Sequence, residues 1–281
     1  MNSLVLQLPE VRIEDKRLGR HIRHDPRSLR FLVPATDTPQ SASWDRRIPI
    51  LDQGNLGSCT GNALTGTLGT SPNYEALPPE IQAALNETFA VQAYSEGTAA
   101  DDYPGQYPPD DTGCDGLTLA MIAKNHGWSP GNTHITSLAA AHNAIKTGPF
   151  MTGVNWMSGM DNPTSEGVVH ATGRIRGGHE PMVCGYDAPK GLWKLANSWG
   201  TSWGKDGYFF LPDEDYDKLL KAQGDATVVL PLTAPIPQPS PDPVPASDFP
   251  VKMYLDWKAH PLKAKKPFVT AVDAWLTAGG K

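Results

Sequence analysis

Cysteine is scarce in this chain. Cys59, Cys114 and Cys184 are the only three in 281 residues. That excludes a disulfide-built scaffold, and an odd count leaves at least one thiol unpaired. Long apolar runs are missing as well: no stretch approaches the ~20 residues of a membrane helix, so no membrane span is expected. The opening residues, Met1 to Leu8, have no basic start and no small-residue cleavage site. Glu10 and Arg12 close the apolar stretch too early for a secretory segment. The expectation is a cytoplasmic location, or release without a classical signal peptide. Positive charge is not in excess, and the net charge of -6 argues against a nucleic-acid partner. The sequence shows no internal repeat and no metal-ligand cluster, and no cofactor is expected.

What is present is a hydrophobic content of 39%, enough for a substantial core. The charge is distributed unevenly. Residues 1–30 carry seven Lys/Arg against four Asp/Glu, and residues 251–281 carry six lysines against two aspartates, so the middle is strongly acidic. Basic ends on an acidic body suggest docking on that body or on an assembly partner. Eight of the 27 prolines fall between Pro231 and Pro250. Proline fixes φ and donates no backbone hydrogen bond, so this stretch reads as an extended spacer. The expected organisation is a basic N-terminal segment at 1–42, a catalytic body at 43–230, a proline-rich linker at 231–250 and a basic tail at 251–281. The tail shows helix-like apolar spacing from Val269 to Leu276.

Within the body, helical spacing is expected over Pro79–Tyr94, Gly116–Asn125 and Ser137–Thr147. Strands are expected over Phe150–Trp156, Pro181–Tyr186, Gly191–Ala196, Gly207–Leu211 and Ala226–Leu230. Helices first and strands later point to an α+β fold with a site between the halves.

Three stretches carry chemistry. Gln53-Gly-Asn-Leu-Gly-Ser-Cys59 sets a thiol at a Gly-Ser turn, ahead of small residues able to enter a helix. A free cysteine is most often a packed core residue, but a helix N-terminus favours the thiolate. Gly177-Gly178-His179-Glu180 places a histidine at the start of a strand, and Asn197-Ser-Trp199-Gly-Thr-Ser-Trp-Gly-Lys-Asp-Gly-Tyr208 places an asparagine at a strand end. Nucleophile, base and base-orienting group are the parts that thiol catalysis requires. Asp101-Asp102 and Asp110-Asp111 read as a solvated acidic loop, with preference for basic substrates as the sharper alternative. Cys184 reads as a packed core thiol.

On these residues the chain resembles the papain-like cysteine peptidases, of a type with a short N-terminal segment. QGNLGSCT, GGHEPMVCGYD and NSWGTSWGKDGY stand where that family has QGxCGSCW, GxHAVxxVGYG and NSWGxxWGxxGY. The resemblance runs from about Ser43-Trp44-Asp45 to about Leu211. It implies a two-lobe fold, helical N-terminal and β-rich C-terminal, with the cleft between them. It implies Cys59 as nucleophile, His179 as base and then acid, and Asn197 as the orienting residue. Gln53 and the Cys59 N–H would form the oxyanion hole, and Trp199 would shield the Asn197–His179 bond. Gly57, Ser58, Gly116, Gly178 and Trp199 would line the substrate path. The implied substrate is a polypeptide. Alternatives are a cell-wall peptide hydrolase with the same triad and a non-catalytic component of an assembly.

The chain departs from the family pattern at several positions. Leu56 stands in place of a disulfide cysteine whose partner Cys114 resembles, which fits a reducing setting. Leu117 replaces a glycine, and Thr60 replaces a tryptophan. Glu180, beside the base, would raise the histidine pKa or face solvent. The basic run ending in Arg27–Pro34 is expected to lie in the groove as a lid, drawn there by the acidic body.

Overall fold

A computed structural model of the chain describes residues 6–8, 17–36 and 38–240. The expected tail helix at Val269–Leu276 and most of the proline-rich spacer lie outside the described residues. The elements run in chain order β1 (Leu6–Leu8), β2 (Ile22–His24), β3 (Ala42–Ser43), α1 (Cys59–Leu68), α2 (Asn73–Ala76), α3 (Pro79–Ala84), α4 (Glu87–Ala100), α5 (Gly116–Asn125), β4 (Asn132–Ile135), α6 (Leu138–Ala144), β5 (Phe150–Met157), β6 (Ile175–His179), β7 (Met182–Asp187), β8 (Leu192–Ala196), β9 (Tyr208–Pro212), α7 (Asp213–Lys221) and β10 (Asp225–Val229). Short 3₁₀ turns at Pro26–Phe31 and Ser158–Met160 complete the set.

Local chemistry fixes three of the helix starts. Asn86, Asp115 and Ser137 each accept a backbone N–H of the first turn with the side chain, opening α4, α5 and α6. The span Pro79–Tyr94 is two helices rather than one, because the chain turns extended at Leu85 and Asn86 and restarts at the Asn86 cap. Arg27–Pro34 is extended only from Leu32 onward. The Asp25 side chain accepts the Arg27 N–H, Pro26 takes the first helical position that suits proline, and the chain winds into a 3₁₀ turn there before Leu32 pairs with His134.

The fold is α+β, a helical half followed by an antiparallel sheet, as expected. The first half packs α1 between α4 and α5, around Leu64, Leu68, Tyr94 and Leu119. Every residue of α1 is buried, which its small side chains (Thr60, Gly61, Ala63, Gly66) permit. The second half is an antiparallel sheet in the order β4-β10-β5-β7-β8-β9, with β3 added to β7 and β6 to β5. Trp156, Trp193, Phe150, Phe209 and Tyr216 fill the core on this side. Helix α1 packs against β5, β7 and β10 along the seam between the halves. Among the described residues, no helix is long and apolar enough to cross a membrane.

Candidate active site

Cys59 is the first residue of α1, with Ser58 as its N-cap, and its side chain is fully buried. The unpaired backbone N–H groups of a helix start favour negative charge at this position. His179 ends β6 and is also fully buried. Its Nε2 lies 2.7 Å from Asn197 Oδ1. The same oxygen accepts the Ser198 N–H at 2.8 Å. That backbone donor fixes which end of the amide faces the imidazole, so Nε2 carries the proton and donates it to Asn197. Trp199 lies against the imidazole at 4.8 Å between ring centroids, and Trp156 meets it edge-on at 5.1 Å. Two indoles thus exclude water from the His179–Asn197 bond.

Gln53 joins the same group through both ends of its amide. Its oxygen accepts the Ser198 hydroxyl at 2.6 Å, and its nitrogen donates to the carbonyls of Leu56 at 2.6 Å and Arg17 at 3.0 Å. The loop carrying it is held by Glu87, the first residue of α4, which accepts the Asp52 N–H and an Asn62 amide proton.

The turn before Cys59 is tied down by a residue the sequence reading assigned to solvent. Asp111 accepts the Gly57 N–H with both oxygens at 3.1 Å and the Tyr94 hydroxyl at 2.6 Å. Asp111, not Cys114, therefore faces the Leu56–Gly57 turn. Cys114 points instead at Gly97, where an added Cβ would come within 2.9 Å of its sulfur. Burial and neighbouring carboxylates push the Cys114 thiol well above its ordinary range. Burial pushes Cys184 up to about 11, and its thiol donates to the Lys194 carbonyl.

The cleft is occupied by the chain's own N-terminal segment, along a path different from the expected one. Residues 17–22, not 27–34, cross the site. The Arg17 carbonyl takes the Gln53 amide, and the Arg17 guanidinium lies 4.3 Å from the centre of the Trp199 ring. Leu18 is fully buried. Gly19 is wedged between Gly57 and Gly178, the neighbours of Ser58 and His179. A Cβ at Gly19 would meet the Gly57 carbonyl at 2.1 Å, so only glycine fits. The Arg20 N–H donates to Gly178 at 3.1 Å, the Cys114 N–H to Gly19 at 2.9 Å, and the His21 N–H to Cys114 at 2.8 Å. The strap thus adds itself as a strand to both walls. The acidic loop closes over it: Tyr103 stacks on His21 at 3.9 Å and donates to the Ile22 carbonyl.

Glu180 does not face solvent. It is buried, 3.9 Å from Arg20, and lies against Gly116, the first residue of α5. Asp115 and Asp225, both buried and absent from the sequence reading, receive Arg23 and Arg20. The Asp-Gly step before a helical run marks Asp115 as a cap; Asp225 carries no comparable local signal. All the expected site residues, Gln53, Gly57, Ser58, Cys59, Gly116, Gly178, His179, Asn197 and Trp199, lie along this seam.

Residues 84–223 match the papain family cysteine protease domain, a span that contains His179 and Asn197 and starts beyond Cys59. The chain is 25% identical over 202 residues to the viral cathepsin of Adoxophyes honmai nucleopolyhedrovirus, covering 62% of this chain and 57% of that protein. It is 26% identical over 235 residues to cysteine proteinase 15A of Pisum sativum, covering 69% and 61%. The match thus spans less than two thirds of the length of either relative. Among solved structures, xylellain, a cysteine protease from Xylella fastidiosa, superposes with a TM-score of 0.54 at 17% identity, covering 77% of this chain and 97% of that one. Domain match and relatives together place residues 84–223 in the papain family of cysteine proteases, and the fold is the papain-like one.

Proposed function

We propose that the protein is a cysteine endopeptidase held latent by residues 17–22. The observation that carries this reading is the His179–Asn197 bond of 2.7 Å, buried under Trp199, in a chain whose Cys59 opens a helix. With Nε2 committed to Asn197, Nδ1 is the nitrogen that takes the proton from Cys59. The thiolate attacks the scissile carbonyl, and the imidazolium then gives its proton to the departing amine. Gln53 Nε2 already donates to one peptide carbonyl, that of Arg17, and would donate to the substrate's oxyanion once that carbonyl leaves. Such a donor contributes ~3–4 kcal/mol to the transition state. Asp111 keeps the Gly57–Cys59 turn in place while this happens.

The test is covalent labelling with an epoxide thiol inhibitor, followed by mapping of the modified cysteine and a fluorogenic peptide assay. Cys59→Ala is expected to abolish both labelling and hydrolysis, while Cys114→Ala and Cys184→Ala retain both. Labelling at Cys114 instead would sink the assignment.

A further inference from the structure

Arg20 sits at a place in the cleft that any substrate must pass. Its backbone N–H is bonded to Gly178, next to His179, and the strap residue three positions earlier offers its carbonyl to Gln53. The side chain leaves this path and enters a closed pocket, where it has no exposed surface. Nη2 donates to Asp225 Oδ1 at 2.8 Å and to the Gln223 carbonyl at 3.0 Å, and Nε faces Glu180 Oε2 at 3.9 Å. Both carboxylates are themselves buried.

The walls are cut to this shape. A Cβ at Gly153 would lie 2.1 Å from Asp225 Oδ1, 2.3 Å from Arg20 Nε and 2.7 Å from Glu180 Oε2. One at Gly116 would lie 2.3 Å from Glu180 Oε1. Gln223 holds a left-handed backbone at φ 68°, costly for a residue with a side chain, and this conformation presents its carbonyl to the guanidinium. Two buried carboxylates and an aimed carbonyl make no sense as a lining for an apolar or acidic group. Left without a cation, they carry a heavy desolvation penalty.

We infer that Asp225, Glu180 and the Gln223 carbonyl form a specificity pocket for an arginine side chain of the polypeptide substrate, which Arg20 fills in its place while the strap is docked. The inference rests on the peptidase reading above and names the substrate class. The acceptors approach from more than one side, matching the spread donors of a guanidinium better than the point charge of an ammonium, so arginine outranks lysine. The pocket lies within about three residues of the scissile bond, by the spacing of Arg20 from Arg17.

The test uses the full chain carrying Arg20→Ala, which empties the pocket. Peptides are varied at each of the three positions on either side of the scissile bond among Arg, Lys, Gln, Leu and Glu. At one of these positions, kcat/KM is expected to be at least tenfold higher for Arg than for Leu, with Lys between them and Glu lowest. Adding Asp225→Asn, or separately Glu180→Gln at the pocket wall, should cut the Arg-to-Leu ratio several-fold. Hydrolysis with Leu equal to or better than Arg at every position would overturn the pocket and leave the peptidase reading standing. No hydrolysis of any peptide, with Cys59 unreactive towards an epoxide, would overturn the peptidase reading and the pocket with it.

Discussion

Asn197 does one job through one atom. Its Oδ1 holds the imidazole proton, and Ser198 N–H holds that oxygen. Asn197→Ala should therefore lower kcat by tenfold or more with little change in KM, because it frees the ring to rotate without touching substrate. An unchanged kcat in steady-state assays would show that the two indoles alone keep His179 in place. The other two thiols differ from Cys59 in a measurable way. Cys114 is pushed far above its ordinary range and Cys184 up to about 11 by burial. Both stay protonated, and so unreactive, at neutral pH. Iodoacetamide applied to the native protein at pH 7.5 should spare them; mass mapping that finds either one modified before unfolding would contradict their burial.

The strap is the element on which activity turns. Leu18 is fully buried, and trimming such a side chain to alanine costs ~2–5 kcal/mol. Leu18→Ala should therefore raise initial hydrolysis rates of the full-length protein on small peptides. Salt should do less, because the Arg20–Asp225 pair lies out of solvent where ions screen poorly. Acid should also loosen the strap. Burial lowers His24, on β2, to about 3, and His134, on β4, to about 4, from an ordinary 6.5. At His24 the charge of Arg20 and the neighbouring His134 reinforce this, and Asp25 opposes it at His134. When the strap leaves together with β2, His24 becomes an ordinary histidine, so between pH 6.5 and about 3 the released form binds more protons and gains on the docked one. The lag before full activity should shorten from pH 7.5 to pH 4.5, and His24→Gln should flatten that change. The strap's location could not be read from sequence. It depends on lone pairings of Gly19 and Arg20 with Gly178 and Cys114, which leave no periodic trace. By contrast, α5 was legible as helical spacing from Gly116 to Asn125 that Gly127 stops. Two glycines hid the alternation of β6, and α7, whose first turn is all acidic, went unread because its two leucines are adjacent.

At the scale of the molecule, the helical half and the sheet were anticipated by the change in texture after residue 149, and the thiol, imidazole and amide by three short motifs. The acids that receive the strap were not, because Asp225 and Glu180 become neighbours only when β10 and the start of β7 are brought beside β5. The chain beyond 230 also keeps touching the body: Leu232 packs on the helical core, and the Ser240 N–H donates to Arg30 at 2.8 Å. Removing 232–281 should lower Tm by about 2–4 °C for each kcal/mol these contacts contribute, read by calorimetry. A drop of more than ten degrees would make the segment part of the core. Because the strap and the cleft are covalently one chain, the block is a unimolecular equilibrium. Dilution does not relieve it, and inhibition is independent of enzyme concentration. Only the open fraction of molecules binds peptide, so the strap multiplies the apparent dissociation constant of every substrate by one common factor. A variant such as Leu18→Ala should then rescale the whole series of peptides together, leaving their rank order unchanged.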